Sequence, residues 1–439
     1  MTTFLTQIFR PSLARRFMIA VREDGWRMAL SKARIFAGML WRGEGQSALK
    51  QQPDANNIAP ERYLHGIWQQ LAQGDAFHPS PAQKTDKPFI AIIGDLNLPQ
   101  CRKYRVEQLA AFWVAQGVAC DFAHYQDLPR VMRLLSRATR LIEYRLQSKP
   151  ATEMIRYEAR RLRLPILYDI DDPLFSVSAY ETYGNMAALD PAMKAHFLAE
   201  APKFLAIMNG ADMISVSTPG LAQHARLLTG RPVHVRRNFA DAATFSDGAK
   251  AMMNAPAPDG MFRVAFASGS QGHEVDLETI LPAVAAFITA DQTRRLILLG
   301  HFNIDHLPED VRAQTDVIPF TTYDRYLAAL AQADCAIMPL ADDAFNRCKS
   351  AVRVIDASCV AVPSIVGTVG DLPVMVRNGE TGLIAQSVQD WHNALMRLEG
   401  DRTAARKMGQ AARDALGAQW DGTPNVHIIA PEITDWVLR

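Results

Sequence analysis

Twice along this chain, short apolar runs alternate with helical stretches, and no other feature limits the fold as strongly. The first series opens with Phe89-Ile90-Ala91-Ile92-Ile93-Gly94, a run apolar throughout and closed by glycine, as a strand buried on both faces requires. Further strands are predicted at Val118–Phe122, Thr139–Tyr144, Pro165–Tyr168, Met213–Ser217 and Val233–Val235. The intervening helices are predicted near Val106–Gln116, Met154–Arg163, Pro191–Met208 and Pro219–Leu228. A second series passes through Val264–Phe266, Arg295–Leu299, Val317–Phe320, a helix from Tyr323 to Ala333, and Cys335–Met338. The pattern predicts an α/β fold of two doubly wound, Rossmann-like parallel sheets facing a central cleft, with sites at the carboxyl ends of the strands.

The rest of the chain divides around these two halves. Residues 1–43 form a basic arm, 44–87 a Gln-, Ala- and Pro-rich linker, 88–245 the first half and 246–261 a second linker. Residues 262–415 form the second half, and 416–439 are expected to return across to the first. A chain of 439 residues is long for one core, and 49% hydrophobic with 21% charged residues describes a soluble globular protein. Cys101, Cys120, Cys335, Cys348 and Cys359 are odd in number and lack CxxC spacing, so they read as reduced thiols. No apolar run reaches the ~18 residues a membrane span needs, and the expected compartment is the cytoplasm.

Within 262–415, Pro339-Leu340 is followed by Asn346-Arg347-Cys348-Lys349-Ser350, then Arg353 and Asp356, a strand at Val362–Gly367, and Gly379-Glu380-Thr381-Gly382. Lys349, Arg353 and Asp356 stand at i, i+4 and i+7, which predicts one shared helix face. A cation in the first helical turn opposes the dipole, and a docked anion reverses that sign, a diphosphate being the natural candidate. The alternative is an ordinary basic helix paired to Asp356.

Whereas the whole chain carries +1, residues 10–43 hold Arg10, Arg15, Arg16, Arg22, Arg27, Lys32, Arg34 and Arg42 against Glu23 and Asp24. Leu13, Phe17, Val21, Met28, Ile35 and Met39 recur at helical spacing, with Trp26 and Trp41 nearby. Two readings stand: a helix lying on an anionic membrane surface, or one packed on the protein with a solvated basic face. No nucleic-acid-binding module follows, and no nucleic acid is expected as a partner.

These residues carry a family resemblance. Residues Phe262 to Gly409 resemble the nucleotide-binding half of retaining GT-B glycosyltransferases of family 4, especially bacterial surface-polysaccharide members. The shared signs are Pro-Leu, then Asn and Lys-Ser, then a basic residue and an acid, together with Ser268-Gly269-Ser270, His273 and Asp276. In the first half, Tyr168-Asp169-Ile170-Asp171-Asp172-Pro173-Leu174-Phe175, Ser215-Val216-Ser217-Thr218 and Arg237-Asn238 fit the same subgroup. The resemblance covers about 88–415.

It implies transfer of a sugar, with retention, from a nucleoside-diphosphate donor to a glycan or lipid-linked acceptor, with no metal and no cofactor beyond the donor itself. Lys349 and Arg353 would neutralise the diphosphate as the glycosidic bond breaks, helped by Ser350. Asp356 would accept from the ribose hydroxyls. Gly269 and Ser270 would approach the phosphates, Asp276 the donor, and Gly370 and Asp371 the sugar, while His273 would either contact the donor or cap its own turn. Asp171 or Asp172 would serve the acceptor side. Arg102, Tyr104 and Arg105, which follow Gly94-Asp95-Leu96-Asn97, read as phosphate or acceptor contacts, or else as surface groups at a helix start. The chain departs from the family's Glu-x7-Glu pattern, with Cys348 at the first acid's place and Asp356 at the second. Asp169-x-Asp171 also suits a metal-binding DxD motif, or two acids capping a turn. A sugar-nucleotide epimerase or hydrolase, or a non-catalytic scaffold, would share the same halves.

Overall fold

The computed structural model of the protein describes residues 11–41, 87–257, 259–269, 272–422 and 428–438. The first half holds strands β1 (Phe89–Gly94), β2 (Ala119–His124), β3 (Arg140–Tyr144), β4 (Ile166–Ile170), β5 (Met213–Val216) and β6 (Val233–Val235). They lie in the order β2-β1-β3-β4-β5-β6, and every pairing is parallel. β1 is buried at every position because it lies inside the sheet with helices on both faces, whereas β2 at the edge buries only Ala123.

The second half holds β7 (Phe262–Ser268), β8 (Arg294–Gly300), β9 (Thr315–Ile318), β10 (Cys335–Met338), β11 (Ser364–Val366) and β12 (Gly382–Ile384). Their order is β12-β11-β10-β7-β8-β9, again all parallel. The order reverses between β1 and β3 in one sheet and between β7 and β10 in the other. Such switch points open crevices at the strands' carboxyl ends, here beside Ser268–Gly269 and Pro339–Leu340.

Two segments differ from expectation. The arm forms two helices, Pro11–Asp24 and Trp26–Trp41, because Gly25 between them adopts a φ of 83°, a left-handed conformation that ends a helix. The second of these packs on helix Pro191–Asn209 and buries Ala29, while Met18, Trp26 and Leu30 stay exposed. Residues 246–253, expected in a linker, continue a helix Ala242–Met253, whose start is capped by Asp241 accepting from Thr244 N at 2.8 Å. The short helix expected within the 44–87 linker, about Glu61–Leu71, lies outside the described residues.

After helix Arg402–Gln419 the chain meets the first sheet. Arg237 N donates to Ile428 O at 2.7 Å and Ala430 N to Val235 O at 3.0 Å, and helix Pro431–Leu438 follows. Arg140 Nε reaches the Trp436 carbonyl at 2.8 Å.

Candidate active site

Asn346 organises the loop after β10. Its buried amide donates to Asp276 Oδ1, Ala341 O and Asp343 Oδ2, each at 3.1 Å. These bonds pin a 3₁₀ turn over Asn346–Cys348, closed by Lys349 N donating to Asn346 O at 3.0 Å. Lys349 then leaves with φ −65° and ψ 140°, and the helix begins only at Val352. The expected helix face shared by Lys349, Arg353 and Asp356 is therefore corrected. The turn consumes the hydrogen bonds that would have started the helix earlier, and the dipole argument does not apply to Lys349.

The extended backbone instead sends the Lys349 side chain to the other half, where its Nζ lies 3.3 Å from Asp172 Oδ1. The ammonium sits 4.9 Å from the Phe345 ring centroid and 5.9 Å from that of Tyr183. Burial alone would lower its pKa, but Asp172 and Tyr183 outweigh that and hold it above the ordinary lysine value. Gly370, at φ 73°, lies under this loop. A Cβ there would come within 2.9 Å of Asn346 O and 3.0 Å of Lys349 O.

The neighbouring polar groups also join the halves. Asp371 pairs with Arg237 at 2.9 Å, and burial pushes its carboxyl up against the pull of that guanidinium. Ser350 Oγ accepts from Asn238 Nδ2 at 3.0 Å, and Cys348 O from Thr218 Oγ1 at 2.9 Å. Gly269 faces Gln100, whose Nε2 would lie 2.6 Å from a Cβ at that position. Ser270 lies outside the described residues.

Arg353 turns towards the end of β7. Its guanidinium donates to Ala267 O at 3.3 Å and lies 5.9 Å from the Phe266 ring centroid, with its pKa lowered by burial. Lys349 and Arg353 share Asp276 and Tyr183 as electrostatic neighbours, so both cations face one region. Asp276 is already occupied by protein donors: Ala341 N at 2.9 Å, Asn346 Nδ2 at 3.1 Å, Asn185 Nδ2 at 3.2 Å and His273 Nδ1 at 2.6 Å. Burial raises its pKa, but His273 and these bonds prevail and keep it low. The expected donor contact at Asp276 thus becomes a junction between loops, because Asn185 comes from the first half.

In the first half, both Asp169 oxygens are held by buried guanidiniums. Arg105 Nε reaches Oδ2 at 3.0 Å and Nη2 reaches Oδ1 at 2.5 Å, while Arg236 Nη2 reaches Oδ2 at 2.8 Å. Arg105 also donates to Arg236 O and Asn238 Oδ1. The expectation of a ligand contact at Arg105 is corrected: its donors are spent inside the protein. Arg102 instead lies outward, paired with Glu107 at 2.6 Å. Asp171 accepts from Tyr144 Oη at 3.1 Å and faces Arg145 at 3.6 Å, leaving Asp172 as the acid opposite Lys349. On the second half, Asp356 accepts from Tyr323 Oη at 2.8 Å and from Tyr104 Oη, and burial raises its pKa.

Tyr104, expected as a phosphate or acceptor contact, instead meets Asp356, and Tyr183, Asn185 and Phe345 were not anticipated at the site. These three lie in segments without motif spacing, and only the folded chain brings them to Lys349 and Asp276.

Two parallel-sheet halves of this order, joined across a cleft, form the GT-B fold of glycosyltransferases. Residues 262–401 match the family described as glycosyl transferases group 1. The chain is 23% identical over 343 residues to the D-inositol 3-phosphate glycosyltransferase of Corynebacterium aurimucosum, across 73% of this chain and 70% of that one. Among solved structures it is similar to WaaG, a glycosyltransferase involved in lipopolysaccharide biosynthesis, with a TM-score of 0.52 and 10% identity over 80% of this chain and 99% of that one. It is also similar to Anabaena HepE in complex with UDP-glucose, with a TM-score of 0.50 and 13% identity over 79% and 99% of the two chains. At those identities the structural likeness establishes the fold. Fold and second half together support a glycosyltransferase.

Proposed function

We propose that the protein transfers a sugar, with retention, from a nucleoside-diphosphate donor to a glycan or lipid-linked acceptor in bacterial surface-polysaccharide or glycoconjugate synthesis. The observation that carries this reading is the pair of cations at the second sheet's switch point, Lys349 facing Asp172 across the cleft and Arg353 at the end of β7. The leaving diphosphate gains negative charge as the glycosidic bond breaks. Fixed cations stabilise that charge more in the transition state than in the ground state. They also supply the positive charge that a metal ion would otherwise bring, so the reaction is proposed to need none. The likeness to a D-inositol 3-phosphate glycosyltransferase makes D-inositol 3-phosphate the first small acceptor to test, and the likeness to HepE bound to UDP-glucose makes that nucleotide sugar the first donor.

Retention rests on the likeness of residues 262–409 to retaining enzymes. Gly269, Ser270, Ser350 and Gly370 are proposed around the donor. Asp356 is proposed at its ribose, and Asp172 on the acceptor side. The arm is proposed to rest on the inner face of an anionic membrane. Arg15, Arg22, Arg27 and Arg34 are exposed on it together with Met18, Trp26 and Leu30.

Thermal stabilisation by a panel of nucleotide sugars tests the donor, since a ligand at ~100 times its Kd should add about 2.7 kcal/mol. Proton NMR of the product then reads the anomeric configuration. Release of free sugar without any need for acceptor would favour a hydrolase instead.

A further inference from the structure

Asp356 carries two phenols on one oxygen. Tyr323 Oη donates to Oδ1 at 2.8 Å, Tyr104 Oη donates to the same atom, and the two phenol oxygens lie 3.4 Å apart. Tyr323 opens the helix Tyr323–Leu330 of the half that contains Asp356. Tyr104 comes from the other half, on a π-helical turn Lys103–Glu107, a local widening that often marks functional positions. Beside them, Lys103 Nζ lies 3.4 Å from the Tyr323 ring centroid. That ammonium is sealed from solvent and makes no hydrogen bond among the described residues. The aromatic face offsets part of its burial, but N–H donors without acceptors remain costly. Two hydroxyl oxygens side by side on one carboxylate, next to an unused ammonium, form an arrangement that a vicinal diol with nearby oxygen acceptors would complete.

We propose that Lys103 of the first half completes the nucleoside end of the donor site and that Tyr104 covers that end while it is empty. The Tyr104 phenol holds the place of a ribose hydroxyl on Asp356, and Lys103 donates to oxygens of the bound nucleoside. This rests on the reading of the chain as a nucleotide-sugar transferase. When the halves part, Tyr104 leaves with its own half and bares the carboxylate. A bound ribose then takes its place, and Lys103 finds acceptors as the halves close.

The test is calorimetric titration of UDP, GDP, ADP and CDP into wild type, Tyr104→Phe and Lys103→Met, with the 2′,3′-dideoxy form of whichever nucleotide binds as control. Tyr104→Phe removes a charge-assisted hydrogen bond that competes with the ligand, so binding should tighten about tenfold. Lys103→Met should weaken it about tenfold by removing donors to the ligand. The dideoxy nucleotide cannot use Asp356 and should gain nothing from Tyr104→Phe. Unchanged or weaker binding to Tyr104→Phe overturns the proposal, as does equal tightening of the dideoxy form, and both results leave the transferase reading standing. Unchanged binding to a folded Lys103→Met removes the role of that residue. If Lys103→Met does not fold, Tyr104→Phe, which keeps the ring, decides. Failure of wild type to bind any of the four nucleotides rejects the transferase reading and the proposal together.

Discussion

Phe345 stacks on Tyr183 with ring centroids 4.1 Å apart and planes 9° from parallel, although the two rings belong to different halves of the protein. Tyr180 adds a second ring 5.3 Å from Phe345, and both Phe345 and Cys348 are buried in the apolar core of the first sheet. The loop that presents Lys349 is thus fastened to the half it does not belong to. The placement of that cation depends on how the two halves fit.

Lys349→Ala is expected to lower the transfer rate by roughly two orders of magnitude or more while the protein stays folded. Steady-state kinetics with melting curves provide the check. Near-normal turnover in a folded variant would reduce Lys349 to a structural partner of Asp172.

Cys348→Glu restores the acid of the family pattern, yet it should damage the protein. The thiol is buried with Sγ 3.3 Å from Ala344 O, and burial pushes its pKa up to about 12. A carboxylate there would be desolvated in the apolar core and would stand near Asp172 and Asp343, while the nearby Lys349 is already paired with Asp172, so roughly 3 kcal/mol or more of stability should be lost. A urea midpoint equal to wild type, with faster turnover, would show that the loop can turn this position to the donor.

Asp169 should contribute a defined acid limb to stability. Burial raises its pKa, but Arg105 and Arg236 hold the folded value below 3.8. On acidification the unfolded chain takes up this proton first. The stabilisation is therefore complete above 3.8 and is lost as pH falls through the folded value. Asp169→Asn leaves two buried guanidiniums uncompensated and should cost about 3–5 kcal/mol. Melting temperatures from pH 3 to 6 should show a shallower acid slope in the variant, and an identical slope would assign the limb to other carboxyls.

Transfer should survive a chelator. Activity abolished by EDTA and restored by manganese would place metal chemistry in the reaction and reject the proposed metal independence.

The arm should bind anionic vesicles in a salt-sensitive way, since each basic residue near such a surface is worth ~1 kcal/mol. Flotation of the full chain and of a variant lacking residues 1–43, at low and high salt, gives the measurement. Equal flotation of both, or none by the full chain, would mean that the exposed Trp26 and its basic neighbours are only solvated surface.

The alternating halves were legible because buried parallel strands such as β1 and β10 leave unmistakable apolar runs between turn residues. The cations Lys349 and Arg353 were legible as charges near a strand end, but not their geometry. Asn346 decides the backbone of Lys349 through Asp276, a partner in the short helix Glu274–Glu278 that follows β7. The pairing of Arg105 with Asp169 and the meeting of Tyr104 with Asp356 join residues far apart in the chain, and no local spacing encodes them. Helix Ala242–Met253 was obscured by a composition that reads equally well as a linker.

That helix carries a practical consequence for anyone building chimeras. It precedes β7, yet it packs on helices Tyr323–Leu330 and Val352–Cys359. Gly248 approaches the Cys359 carbonyl so closely that a Cβ would stand 2.3 Å from it. A donor half transplanted onto another acceptor half must carry residues 242–253 along. A junction cut at 246 would orphan the turn that holds the graft in register, whereas one placed at 254–261 on the far side would leave the same turn facing a foreign surface. The portable module begins before its first strand.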